Sequence, residues 1–232
     1  MKAGQAGSSG IITHWKIFIL CVVSAVLNIF VNHLVNGFTR LPLYLDTVFT
    51  AAMCFTAGLL PAIITGIFFP VLLLPVNYLF LYNLPLETVW SAYFFLICAL
   101  GEIVIICFFY KKIKPIENEF LANLEGKKPL LQSFTLIATQ LLVLTALDCI
   151  IVSILGGITG YTIGLFSMPR PLYPEDTFLL GLIRNNVPQL ASEILSRIPI
   201  NIVDRFIVIF GGYGISLFYR KLLKTQSSEA HL

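Results

Sequence analysis

Ten residues with hydrogen-bonding side chains lie within or beside the long apolar segments of this 232-residue chain. They are Asn28, His33, Asp46, Asn77, Trp90, Asp148, Arg184, Asn201, Asp204 and Arg205. A charged side chain at the centre of a bilayer costs about 2.5 to 3.5 kcal/mol on insertion scales, so such residues usually face a partner or a water-filled cavity. The set therefore predicts a binding site for a small molecule.

The same residues form no catalytic pattern. The H-E-x-x-H and G-x-S-x-G motifs are absent, as is the G-x-x-x-x-G-K-[ST] loop that holds the phosphates of ATP. The Gly-rich segment at 211–214 is better explained as a small-residue face for helix packing than as a phosphate loop. We therefore expect no enzymatic activity, no cofactor and no metal site.

The elements that must position these residues are predicted to be membrane helices. The chain is 57% hydrophobic and 12% charged, whereas a soluble domain is roughly 25% charged. Residues 17–39 and 47–86 contain no Asp, Glu, Lys or Arg, and about 20 apolar residues suffice to cross the hydrocarbon core. The sequence predicts a single integral membrane domain over residues 1–232.

An all-α bundle of six transmembrane helices is predicted, with an extra amphipathic helix between the fifth and sixth spans. The spans cover approximately residues 12–35, 44–60, 61–82, 88–110, 130–155 and 198–220. Basic residues concentrate in segments 111–128 and 220–224, which are therefore expected to be cytoplasmic. An even number of spans then places both termini in the cytoplasm of a multi-pass protein of the cell membrane.

The amphipathic helix is predicted over residues 178–197, after a Gly- and Pro-rich external loop at 156–176. Its apolar face includes Ile183 and Ile194, its polar face includes Arg184 and Glu193, and a kink is expected near Pro188. Two positions remain open for it. It lies at the outer membrane interface as an anchor, or it caps a cavity.

The depths of the polar residues favour one side of the membrane. At 1.5 Å per helical residue, counted from the basic inner end of each span, Asn28 lies roughly 18 Å and Asp148 roughly 30 Å towards the outside. Arg205 falls in the outer third, and only Glu102 falls near the midplane. The collection predicts a ligand cavity open to the outside. For any single residue, ion pairing between spans, such as Asp148 with Arg205, is the alternative.

Three segments carry a resemblance to a known family. LPLYLDTVFT (41–50), GLLPAIITGI (58–67) and RIPINIVDRFIVIFGGYGI (197–215) resemble the substrate-binding membrane subunits, or S components, of energy-coupling factor (ECF) transporters. The resemblance covers most of the chain. It implies capture of a vitamin-like micronutrient in an outward-facing cavity, followed by docking on a membrane T component that two cytoplasmic ATPase subunits drive.

Leu-Asp-Thr segments like that at 45–47 also occur in membrane sensor regions of bacterial histidine kinases. The alternative function is therefore a ligand-sensing membrane subunit that signals to a separate partner without transport. Under either reading the partners are a small molecule, the lipid bilayer and other protein subunits, with no nucleic acid. The carboxylate majority favours a neutral or cationic ligand over a dianion.

Docking in the S-component family uses small residues four positions apart on the first span. The best match here is Cys21 with Ala25, and ordinary helix packing is the alternative for this pair. Asp46 is expected to cap the N-terminus of the second span. It could also hold the preceding loop by pairing with Arg40, or contact the ligand.

Overall fold

The computed structural model describes residues 5–35, 43–76, 93–124, 130–166 and 175–229. All regular elements within these ranges are helices, which confirms the all-α class for the described part of the chain. They are α1 (Gln5–His33), α2 (Val48–Ala57), α3 (Leu59–Val76), α4 (Leu96–Leu124), α5 (Leu130–Leu165), α6 (Asp176–Arg184), α7 (Gln189–Leu195) and α8 (Ile198–Glu229).

Two segments in the described ranges are long and apolar enough to cross a membrane. They are His14–His33 in α1 and Phe134–Leu165 in α5. Their apolar side chains are not enclosed by the protein, since Phe30 and Phe134 are 61% and 60% exposed. Exposed apolar surface of this kind marks a contact with lipid or with another protein. These helices indicate association with a membrane, and the six-span bundle stays a prediction.

The predicted second and third spans form a helical hairpin that turns at Gly58. Gly58 has a φ of 87°, a conformation that glycine adopts without steric cost from a Cβ atom. Eight residues on either side of this turn, Thr50 and Gly66 lie against each other. The break between the two helices lies within three residues of the predicted span boundary at 60/61. However, α2 has only 10 residues, about 15 Å or half a membrane span.

Helix α2 lies at the centre of the core, in contact with α1, α3, α4 and α8. Seven of its residues are buried. Helix α8 approaches it closely, because a Cβ atom on Gly212 would lie 2.8 Å from Cβ of Ala51 and 3.0 Å from the carbonyl oxygen of Val48. Only glycine fits at this crossing, which confirms that the segment 211–214 is a helix-packing face.

Helices α4 and α8 run in the same direction and in register. Glu102 pairs with Arg205, and Glu117 pairs with Arg220. The two glutamates are 15 residues apart on α4, and the two arginines are 15 residues apart on α8. At 1.5 Å per residue the two ion pairs are separated by about 22 Å. They tie α4 to α8 at both ends of α2.

Helix α4 continues beyond the predicted end of the fourth span at residue 110, as far as Leu124, and contains Pro115. The extension is held by Glu117, which is 1% exposed and accepts hydrogen bonds from Tyr110 and Tyr213 at 2.6 and 3.0 Å. Because the buried Glu117 carboxylate is hydrogen-bonded, it stabilises this part of α4 although the segment contains many charged residues.

The predicted loop from residue 156 is also wrong, since α5 continues to Leu165. The glycines in this segment allow close helix packing and do not form a turn. A Cβ atom on Gly157 would lie 2.7 Å from Cα of Ile194, so α7 packs directly on the backbone of α5. The small residues of α5 allow α7 to approach closely, and this packing stabilises the helix beyond residue 156.

The predicted amphipathic helix 178–197 is two helices, α6 and α7, with a break at 185–188. Asn186 has a φ of 60° and Pro188 precedes α7, so the kink expected near Pro188 is a complete interruption. Ile183 is exposed, whereas Glu193 is buried. The inversion is confined to α7, where Ser192 and Glu193 are buried while Leu190 and Leu195 are exposed. On α6, Arg184 is exposed and Leu179 is buried.

Candidate functional site

Five ionisable residues from four parts of the chain meet at the N-terminal end of α2. We name them the carboxylate cluster: Asp46 before α2, Glu102 on α4, Asp148 on α5, and Asp204 and Arg205 on α8. All except Asp46 are at most 3% exposed, and the Asp46 side chain is 32% exposed. The cluster thus contains four carboxylates and one guanidinium group, and the guanidinium is paired with three of the carboxylates.

Arg205 is the centre of the carboxylate cluster. Its Nη1 atom lies 2.6 Å from Oε2 of Glu102 and donates to Oγ1 of Thr47 at 3.2 Å. Its Nε atom donates to Oδ2 of Asp204 at 3.1 Å, and Nη2 lies 3.8 Å from Oδ1 of Asp46. Such a buried guanidinium is stable only because several acceptors surround it.

Asp204 holds the segment that leads into α2. Its Oδ1 atom accepts hydrogen bonds from the backbone N–H groups of Tyr44 and Leu45, at 2.8 and 2.9 Å. Leu45 has a φ of 43°, a left-handed conformation that is rare for residues other than glycine. The two bonds compensate for this strain and fix the position of Asp46.

Asp148 has a different environment. It is fully buried, and neither Oδ1 nor Oδ2 has a hydrogen-bond partner among the described residues. Its charge interacts with those of Arg205 and Asp204. A buried carboxylate without donors is costly. Asp148 is thus the member of the cluster whose hydrogen-bonding capacity is unused.

Asn28 faces α2 and not a cavity. Its side-chain oxygen accepts from the backbone N–H of Phe49 at 2.9 Å, and its Nδ2 atom donates to Oγ1 of Thr50 at 2.9 Å. Asn28 therefore satisfies one of the free N–H groups at the start of α2. The capping role expected for Asp46 is wrong, because Asp46 precedes the cap residue Thr47 and the cap bond comes from α1.

The other predicted site residues are dispersed. Asn201 is buried and its Nδ2 atom donates to Oγ of Ser153 at 2.9 Å, which joins α8 to α5. His33 ends α1, and its Nε2 atom has no partner among the described residues. Arg184 is exposed at the end of α6 and lies outside the carboxylate cluster. Asn77 and Trp90 are outside the described residues.

A second buried network joins α6, α7 and the segment before α2, and we name it the Arg197 network. Arg197 forms ion pairs with Glu175 and with Glu193, and the Tyr44 hydroxyl donates to Glu175. The guanidinium also lies 5.3 Å from the centre of the Phe95 ring, within cation–π range. Tyr44 thus connects the Arg197 network to the carboxylate cluster, because its backbone N–H is bound by Asp204.

A third network, the Arg220 network, lies at the C-terminal end of α2. Arg220 Nη1 is 2.6 Å from Oε1 of Glu117, and Nη2 donates to the carbonyl oxygen of Phe55 at 3.0 Å. Tyr110 and Tyr213 complete it through their bonds to Glu117. The α2 dipole thus has carboxylates at its positive end and a guanidinium at its negative end, the favourable arrangement.

The small residues expected to form a docking face are inside the protein. Cys21 and Ala25 are both fully buried, and Cys21 Sγ lies 3.4 Å from the carbonyl oxygen of Pro61. Ser24, on the same face of α1, is hydrogen-bonded to Tyr219. This face packs α1 against α3 and α8, so it offers no surface to a separate subunit, and the packing alternative is what is found.

Sequence reasoning missed Glu102, Glu175 and Arg197 as members of buried networks. The depth predicted for Glu102 differs from that predicted for Arg205, because the prediction counts from Lys111 as the inner end of the fourth span, whereas α4 extends to Leu124. A comparison of the spacing from Glu102 to Glu117 with that from Arg205 to Arg220 would have found it. Glu175 lies in the predicted external loop 156–176, and Arg197 is the last residue of the predicted amphipathic helix 178–197, so neither position predicts burial.

No metal-binding group of three or more His, Cys, Asp and Glu side chains occurs among the described residues. The carboxylates of the cluster are hydrogen-bond acceptors and carry negative charge. In comparisons with known proteins, no protein family, curated protein or solved structure matches this chain.

Proposed function

We propose that this protein is the substrate-binding subunit of an ECF-type transporter, and that it captures a vitamin-like micronutrient at the carboxylate cluster for ATP-driven uptake by partner subunits. In this account the chain crosses the cell membrane six times with both termini in the cytoplasm. The cluster lies towards the outside, and the Arg220 network lies towards the cytoplasm.

The observation that carries the proposal is the unused carboxylate of Asp148. Three of the four carboxylates in the cluster have a partner in the protein, namely Arg205 for Asp46, Glu102 and Asp204. Asp148 has none among the described residues, although it is fully buried. A ligand that donates a hydrogen bond or carries a positive charge would satisfy it. The partly exposed Asp46 gives such a ligand a second acceptor.

The directions of the helices support the six-span topology. In a chain that alternates across the membrane, the second, fourth and sixth spans must run the same way. Glu102 and Thr47 meet Arg205, while Glu117 and Phe55 meet Arg220, so α2, α4 and α8 share one direction. Lys111 and Lys112 lie towards the Arg220 end of α4, as the positive-inside rule requires of a cytoplasmic end.

The energy for uptake is assigned to a T component and two ATPase subunits, as the family resemblance implies. These partners do not dock on Cys21 and Ala25, which are buried in the protein core. The outward apolar faces of α1, with Phe30 and Trp15 exposed, are available for contacts within the membrane. We assign docking to such a face and not to the small-residue pair.

The test is purification of the tagged protein in mild detergent from its native cells, followed by mass spectrometry of co-purifying proteins and of small molecules released on denaturation. Recovery of a T component with two ATPases and a bound metabolite supports the proposal. Recovery of a histidine kinase with no ATPase subunits would contradict it and favour a ligand-sensing subunit. Uptake of the labelled metabolite by cells then separates transport from sensing.

A further inference from the structure

A pocket with a mainly apolar lining and several polar groups lies beside the turn of the α2–α3 hairpin, at the opposite end of α2 from the carboxylate cluster. Its volume is about 540 Å3, and its walls come from the hairpin turn, from α4 and from Arg220. Pockets of roughly 300 to 1,000 Å3 are of the size that binds small molecules. The pocket plays no part in the site proposed above.

Four polar side chains of this pocket offer hydrogen-bond donors with unused capacity, and the exposed Asn118 adds both a donor and an acceptor. Lys111 and Lys114 line it and are exposed, and neither has an ion-pair partner among the described residues. Thr56 Oγ1 and Arg220 Nε are buried atoms without a partner in the described part of the chain. The Arg220 charge itself is balanced by Glu117. A convergence of donors with two unbalanced positive charges fits an anion rich in oxygen acceptors, such as a phosphate ester.

An apolar groove continues from this pocket along the protein surface. The groove lies between α4 and α5, has a volume of about 450 Å3, and is lined by residues that include Gly101, Ile151 and Leu155. Val104 and Phe108 line both the groove and the pocket, and they are 57% and 64% exposed. A ligand seated here would have an anionic end beside the lysines and an apolar end along α4.

We propose that this composite site binds one anionic phospholipid of the inner leaflet, with its phosphate beside Lys111 and Lys114 and an acyl chain in the groove. The assignment to the inner leaflet rests on the topology in the proposed function. The positive charges of the lysines favour an anionic headgroup. Because Val104 and Phe108 line both the pocket and the groove, the site favours a molecule with an acyl chain over a free phosphate. Anionic lipids of the cytoplasmic leaflet attract basic residues placed at this level.

The test is a titration of the purified chain with phosphatidylglycerol or with phosphatidylcholine of identical acyl chains, followed by native mass spectrometry. Phosphatidylglycerol is expected to bind at least tenfold more tightly. Lys111→Gln and Lys114→Gln should each weaken its binding about fivefold. Lys112→Gln is the matched control, because Lys112 is exposed on the same helix but lies outside the pocket, and it should leave the binding unchanged.

The groove is tested separately with Val104→Trp, which should reduce phosphatidylglycerol binding, and with Val143→Trp as the control at an exposed position outside the groove. Glycerol phosphate should not compete. Equal binding of the two lipids by the wild-type chain would overturn the proposal, as would an equal loss in Lys112→Gln or full competition by glycerol phosphate. Because the chain is assayed alone, neither a missing transport partner nor a missing substrate changes these results.

Discussion

The Nη1 atom of Arg205 on α8 lies 2.6 Å from Oε2 of Glu102 on α4, with both side chains buried. Oε1 of the same glutamate accepts a hydrogen bond from Thr47 at 3.0 Å. This contact therefore joins three helices that run in one direction, at the level where α2 begins. The carboxylate cluster both stabilises the packing of these helices and forms the candidate ligand site. Different residues can be assigned to stabilisation and to ligand binding.

Glu102 is expected to contribute mainly to stability. Glu102→Ala should lower the free energy of unfolding in detergent by about 3 kcal/mol, the lower end for removal of one partner from a buried ion pair, because Asp204 still compensates Arg205. Glu119→Ala is the control, since Glu119 is exposed on the same helix, and it should change the value by less than about 0.5 kcal/mol. Equal effects of the two substitutions would show that the ion pair does not stabilise the fold.

The crossing of α8 over α2 is tested by adding one methyl group. Gly212→Ala should destabilise the protein by about 1 to 3 kcal/mol, because the new Cβ would lie 2.8 Å from Cβ of Ala51. Gly214→Ala is a control on the same helix, where a Cβ meets nothing within 4 Å. A thermal unfolding midpoint that falls only for Gly212→Ala is the expected result, and equal midpoints would contradict the close contact.

Loss of the charge should destabilise the protein at Asp204 but not at Asp148. Asp204→Asn should lower the free energy of unfolding by about 2 kcal/mol, because the guanidinium of Arg205 loses a charged acceptor. Asp148→Asn should leave the ligand-free protein equally stable or make it more stable, since the carboxylate has no donor among the described residues. Unfolding in detergent without ligand measures both, and a large destabilisation by Asp148→Asn would show that a donor holds this side chain.

The Arg197 network is expected to hold α6 and α7 on the rest of the protein. Arg197→Met would leave the buried Glu175 and Glu193 without their guanidinium partner. Hydrogen exchange followed by mass spectrometry should then be faster in residues 176–195, with little change in α1 or α4. Arg184→Met removes an exposed cation from α6 and serves as the control. Unchanged exchange in both variants would show that packing of α7 on Gly157 is sufficient.

The sequence predicted the helical class, the hairpin boundary near Gly58 and the packing role of the segment around Gly212, because periodicity and small residues act locally. It did not predict the ends of α4 and α5. Glu117 and Gly157 become helical through partners distant in sequence, Arg220 and Ile194. The partners of Asn28 could not be predicted for the same reason. The Asn28 amide caps a helix that begins 20 residues further along the chain. From the sequence alone, a single Asn within a span that caps another helix looks the same as one that binds a ligand.

The central claim is that the carboxylate cluster binds a small molecule through Asp148. The most direct measurement compares the small molecules released on denaturation from the wild-type protein, from Asp148→Asn and from Glu119→Gln, each purified in the same way and quantified by mass spectrometry per mole of protein. We predict one metabolite at near-equal amounts in the wild type and Glu119→Gln, and at least a tenfold loss in Asp148→Asn. The same metabolite at equal amounts in all three proteins, or no metabolite in any of them, would contradict the claim.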